Sequence, residues 1–164
     1  MARILLLGGG CRGRRLAGEL IGDGHAVRIT TRAEAGRAGI EEVGAECWLG
    51  TPDRLATLRG ALDGVTVACW MLATARAAPE QLAELHGSRL EFFLTQAIDT
   101  TARGIVYEAH GTPSTAMALA AGGQLTRRIC ELNQIPLVEL HEDPADVGAW
   151  VRSARAAIDS LLGL

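Results

Sequence analysis

Lysine is missing altogether: all sixteen cationic side chains among the 164 residues are arginine, so every mechanism that needs a lysine amine is excluded. Tyrosine occurs once, at Tyr107. The four cysteines, Cys11, Cys47, Cys69 and Cys130, lie far apart with no C-x-x-C spacing, which suggests neither a zinc knuckle nor a disulfide framework. They read as reduced thiols of a cytoplasmic protein, and no metal site is expected. A basic surplus is also lacking. The net charge is −3 and the arginines are scattered, so there is no electrostatic footprint for nucleic acid. The first apolar run, Ile4 to Leu7, is short and leads into glycines and arginines, which makes it neither a signal peptide nor a membrane span.

The length suits one domain, residues 1–164, burying roughly 70% of its unfolded surface and leaving no room for a separate substrate domain. Strand-like and helix-like segments alternate from end to end, without repeats or low-complexity tracts. After the strand at Ile4 to Leu7, the residues Leu16, Ala17, Leu20 and Ile21 recur at helical spacing until Gly22-Asp23-Gly24, and a second strand runs from Ala26 to Thr30. A helix over Glu34 to Val43 and a strand over Glu46 to Leu49 follow. Thr51-Pro52-Asp53 then starts a helix whose inner face is Leu55, Leu58 and Leu62. The continuously apolar Val65 to Leu72 is a central strand buried on both faces. Beyond the looser Ala73 to Glu80, a helix spans Gly87 to Ala102, a strand Ile105 to Glu108, a helix Ala116 to Asn133, a strand Leu137 to Leu140 and a helix Ala145 to Leu162. The expected architecture is α/β: a doubly wound, Rossmann-like parallel sheet of about six strands, order 3-2-1-4-5-6, in three α/β/α layers.

The first strand turns into its helix through Gly8-Gly9-Gly10-Cys11-Arg12-Gly13, in which Gly8, Gly10 and Gly13 satisfy G-x-G-x-x-G. The three glycines serve distinct physical purposes, namely a tight turn off the strand, backbone approach to a pyrophosphate, and close helix packing. The motif follows a strand, opens a helix and begins a βαβ unit of about thirty residues, the context that raises it above a chance pattern in a glycine-rich chain. The helix N-terminus adds free N–H groups and a positive dipole end. At the end of the second strand, where an acid grips the ribose 2′-hydroxyl in NAD sites, the residues are Thr30-Thr31-Arg32. Thr31 and Arg32 favour NADP over NAD, with Arg12 and Arg14 adding positive charge on the same side.

On these residues the chain resembles the NAD(P)-binding Rossmann superfamily, and within it the atypical short-chain dehydrogenase/reductase and epimerase/dehydratase-like proteins. The likeness runs over nearly the whole chain, through Leu5 to Ala17, Thr30-Thr31-Arg32, Val67 to Leu72 with Ala73-Thr74, and Gly104 to Tyr107. It implies a dinucleotide site made by Gly8, Gly10, Cys11, Arg12, Gly13, Thr31, Arg32, Leu72, Ala73 and Thr74. It also implies a serine and a Tyr-x-x-x-Lys pair for proton transfer, and these are absent. Gly111 stands four residues after Tyr107, and Glu108-Ala109-His110 occupies the serine region.

What remains at the carboxyl ends of the strands is Thr74 and Arg76, Glu108 and His110, and His141, Glu142 and Asp143. His110 is the candidate for proton transfer, because an imidazole titrates near neutrality, with Glu108 or another carboxylate to orient it. For Glu108 the other reading is a helix cap or a surface charge. Cys11, at a helix N-terminus beside Arg12, is either a thiol of lowered pKa or a small packed side chain. Two functions from different classes fit: an NADP-dependent reductase of a small molecule, and a non-catalytic module that senses NADP(H) or presents a surface to a partner. Val147, Trp150, Val151, Ala154, Ile158 and Leu161 recur at helical spacing as a face for the sheet, and a homo-oligomer is left open.

Overall fold

The computed structural model describes residues 1–164. Its strands are β1 (Arg3–Gly8), β2 (Ala26–Thr31), β3 (Glu46–Leu49), β4 (Val67–Met71), β5 (Gly104–Glu108) and β6 (Leu137–Leu140). They form one sheet of order β3-β2-β1-β4-β5-β6, parallel throughout, as the alternation of elements predicts. The helices are α1 (Gly10–Gly22), α2 (Arg37–Glu42), α3 (Pro79–Glu84), α4 (Leu90–Ile98), α5 (Ala116–Leu132) and α6 (Val147–Leu162).

Successive strand residues point to opposite faces, so β1 feeds two cores at once. Ile4 and Leu6 join Val27, Ile29, Val67 and Trp150 beneath α1 and α6, whereas Leu5 and Leu7 join Trp70, Tyr107, Phe93 and Leu94 beneath α4 and α5. Strands β4 and β5 are buried at every residue, while the edge strands β3 and β6 are largely half-exposed. The apolar face of α6 lies on the sheet, with Trp150, Val151, Ala154 and Ile158 buried.

Two connections differ from the sequence reading. Between β3 and β4 there is no α-helix but two short 3-10 turns, Leu55–Leu58 and Gly60–Leu62. The Thr57 hydroxyl accepts from the Thr51 N–H at 2.9 Å and donates to the Arg54 carbonyl at 2.6 Å, drawing backbone groups away from a helical ladder. Leu58 and Leu62 still face the core.

After β4 the helical segment begins earlier than expected, at Pro79, where Gln81 Oε1 accepts from the Ala78 N–H at 3.1 Å. It is broken by a π-helical turn, Leu85–Arg89, in which Gly87 leaves helical geometry at φ −117° and ψ −107°. It also stops earlier, at Ile98. The hydroxyls of Thr100 and Thr101 donate to the carbonyls of Ala97 and Val65 instead of continuing the helix.

Candidate functional site

Three successive glycines carry the chain from β1 into α1 in the left-handed region: Gly8, Gly9 and Gly10 have φ of 80°, 89° and 52°. Their surroundings divide the work. A Cβ on Gly8 would stand 2.5 Å from Leu72 Cδ2 and from the Met71 carbonyl, and one on Gly13 would stand 2.9 Å from the Gly8 carbonyl. A Cβ on Gly10 would meet nothing within 4 Å. Gly8 and Gly13 thus permit packing, whereas Gly10 opens the backbone to the outside. Helix α1 carries no side-chain cap and no acid in its first turn, so its first N–H groups face outward without a protein anion.

The turn opens onto a cleft of about 360 Å³ whose walls include Gly8, Gly10, Arg14, Thr31, Arg32 and Leu72. Thr31 is held by its hydroxyl, which donates to the Ala33 carbonyl at 3.3 Å. Arg32 is largely exposed and reaches Asp53, Nη2 to Oδ2 2.9 Å. An uncapped helix start, a backbone surface open at Gly10 and a groove ending in two arginines are what a dinucleotide requires, and these residues fit one.

Arg12 does not join that group, which corrects the expectation that it adds charge beside Arg32. It turns to the other flank of α1, where its Nη2 donates to Glu108 Oε2 at 3.1 Å and its guanidinium lies 4.9 Å from the Trp150 ring centroid. Glu108 is fully buried. Its Oε1 accepts from the Ala73 N–H at 2.9 Å, and its Oε2 also accepts from Trp150 Nε1 at 2.6 Å. It is therefore neither a surface charge nor a helix cap, and it does not touch His110. It ties α1, the turn after β4 and α6 together, with three donors neutralising one buried carboxylate. Cys11 is exposed rather than packed, its Sγ accepting from Arg14 Nη2 at 3.1 Å.

The turn after β4 is fixed on every side. Thr115 Oγ1 donates to the Ala73 carbonyl at 2.7 Å, and His86 Nε2 donates to the Leu72 carbonyl at 3.3 Å. Because a carbonyl only accepts, His86 carries its proton on Nε2, leaving Nδ1 to accept from the Tyr107 hydroxyl at 2.9 Å. Burial pushes the His86 pKa down to about 4 and pushes the Tyr107 phenol upward, with Glu139 and Glu108 adding to the second shift. Gly122 stands over the Tyr107 hydroxyl, where a Cβ would collide with it. The single tyrosine is therefore a buried fastener.

His110 is exposed at the end of β5, its Nδ1 3.2 Å from the His141 carbonyl, which places the proton on Nδ1 and leaves Nε2 free. It borders a second cavity of about 680 Å³ together with Thr74, Arg76, Gly111, Thr112 and Asp143. The structure thus brings Thr74, Arg76, His110 and Asp143 together and leaves Glu108 beneath them. Sequence reading missed Asp53, Thr115, His86 and Trp150 as partners of the site. Thr115, three residues after Thr112 and just before α5, carried a helix-start signal. His86, inside an apolar helical pattern, carried none.

The sequence matches no protein-family model, and no curated protein is significantly similar to it. Among solved structures the likeness is clear. A short-chain dehydrogenase/reductase superfamily protein from Agrobacterium tumefaciens with bound NAD superposes with a TM-score of 0.69 at 18% identity, over 85% of this chain and 48% of that one. Triphenylmethane reductase of Citrobacter sp., complexed with NADP(H), gives 0.65 at 17% identity, over 85% and 49%. BdcA from E. coli gives 0.74 at 12% identity, over 96% and 93%. The chain spans about half the length of the first two and nearly all of the third. The chain has a Rossmann-like α/β fold, of the type seen in short-chain dehydrogenase/reductase and epimerase proteins. No helix is long and apolar enough to cross a membrane.

Proposed function

We propose that this chain is a cytoplasmic NADP(H)-binding protein domain that reduces a small carbonyl compound. The observation that carries the reading is the left-handed glycine turn, open at Gly10 and continuous with a cleft that ends at Arg14 and Arg32. Gly8, Gly10, Cys11 and Gly13 form the phosphate turn, Thr31 and Arg32 face the 2′-phosphate, and Leu72 and Thr74 line the way to the second cavity, with the fully buried Ala73 holding the turn between them. Arg12 serves this site from behind, by fixing α1 to Glu108.

A bound reduced nicotinamide supplies a hydride to a carbonyl carbon. The protein's own part is to hold the substrate in the second cavity and to relay a solvent proton to the carbonyl oxygen, the role assigned to Nε2 of His110, which takes up that proton while Nδ1–H stays on the His141 carbonyl. Glu108 acts there only by holding the Ala73 backbone. Four free thiols, one of them exposed, support the reducing compartment.

A second reading, a non-catalytic NADP(H)-sensing module, is favoured by one observation: Tyr107 is locked against His86, and the chain has no lysine to pair with it. Fluorescence titration with NADPH and NADH, followed by cofactor oxidation in the presence of quinones, flavins and aldehydes, separates the two. Tight NADPH binding with turnover lost in His110→Ala supports the reductase; tight binding without turnover on the whole panel supports the sensor. Arg32→Asp should weaken NADPH selectively, and absence of any dinucleotide binding would sink both readings.

A further inference from the structure

Arg32, at the wall of the cleft, continues through Asp53 to Arg89 as a chain of ion pairs. Asp53 Oδ2 lies 2.9 Å from Arg32 Nη2, and its Oδ1 contacts Arg89 Nη1. Arg89 has a second acid, Glu84, at 3.2 Å, whereas Asp53 is the one acid paired with Arg32. The Arg32 and Asp53 side chains are 73% and 45% exposed, so water screens the pair and it exchanges partners easily. Asp53 also sits in a preformed loop, its N–H donating to the Thr51 hydroxyl at 3.3 Å.

We propose that Asp53 is a specificity-determining counter-ion: it holds Arg32 when no 2′-phosphate is present and competes with one for it, so its charge sets how strongly the protein separates NADP(H) from NAD(H). The inference rests on the NADP(H) reading. A phosphate offers Arg32 bidentate oxygens and more negative charge than a carboxylate, so it wins the exchange. The carboxylate it displaces stays beside it and repels it, which lowers the gain. A 2′-hydroxyl brings no charge to the exchange, and Asp53 keeps Arg32.

The test titrates NADPH, NADH and 2′,5′-ADP against wild type, Asp53→Asn and the double variant Arg32→Ala/Asp53→Asn, with urea midpoints confirming folding. Asp53→Asn should bind NADPH and 2′,5′-ADP about three- to tenfold more tightly, the scale of one exposed ion pair together with the repulsion removed. NADH should be unchanged, and the double variant should lose the gain. An unchanged NADPH-to-NADH ratio in Asp53→Asn overturns the proposal. So does weaker NADPH binding, which would mean that Arg32 depends on Asp53 for its position. Wild type preferring NADH, with Asp53→Asn moving the ratio toward NADPH, refutes the cofactor reading and upholds the counter-ion. Binding of neither nucleotide by either protein overturns both.

Discussion

Along the carboxyl edge of the sheet, the end at β1, β2 and β3 and the end at β4 and β5 are held in opposite ways. Around the first, the functional side chains are arginines with exposed partners, Arg32 on the Asp53 carboxylate and Arg14 on the Cys11 thiol. Around the second, two residues of backbone, Leu72 and Ala73, share hydrogen bonds with three side chains that are themselves buried: His86, Glu108 and Thr115. The difference separates two roles. Under the proposed function a phosphate would be met by groups that can change partners at little cost, whereas the place where a reaction would occur is built on a hydrogen-bonded, buried support.

The largest expected effect comes from breaking the rigid end. Glu108→Ala strips the Arg12 guanidinium, Trp150 Nε1 and the Ala73 N–H of their acceptor. Leaving a buried cation unpaired costs about 3 to 5 kcal/mol, to be read from urea unfolding.

Acid probes the same end with a smaller effect. His86 titrates near 6.5 in the unfolded chain and near 4 in the folded one, so between those values the unfolded state binds the extra proton. Stability is therefore full above pH 6.5, falls as the pH drops toward 4 and levels off below, a loss of about 3 kcal/mol. Unfolding curves across that range should show it, and His86→Gln should flatten the dependence.

Gly10→Ala sharpens the contrast from the loose end. With open space around the new methyl group, only its left-handed φ is strained, and stability falls by about 1 kcal/mol. Dinucleotide affinity should fall by more than about tenfold, because the methyl occupies the approach to the pyrophosphate. Equal losses in binding and stability would show that Gly10 is merely structural.

Sheet order and strand positions were legible in the sequence because hydrophobic runs and glycine turns are local signals, and the apolar β4 and the turn at Gly8 to Gly13 announce themselves. The connection after β3 was not legible, since its leucine spacing fits a helix and only the hydroxyl of Thr57, bonded in three dimensions, diverts it. The glycine turn from strand to helix could be read residue by residue, whereas the allegiance of each charge could not. Arg12 and Arg14 are two residues apart in sequence and serve opposite flanks of α1, one bound to a carboxylate 96 positions away. Glu108 looked like a free acid for the same reason: its partners come from three other elements.

Gly111 bears on how the second cavity can move. Its missing side chain lets the loop after β5 press directly on the Ala73 carbonyl, where any Cβ would collide, and Thr115 stitches the same two loops together. The two loops are thereby tied to one another. Any closing of that cavity over a substrate would therefore fall to its other walls, Arg76 in the span between Ala73 and the start of α3 at Pro79, and Asp143 to Ala145 before α6.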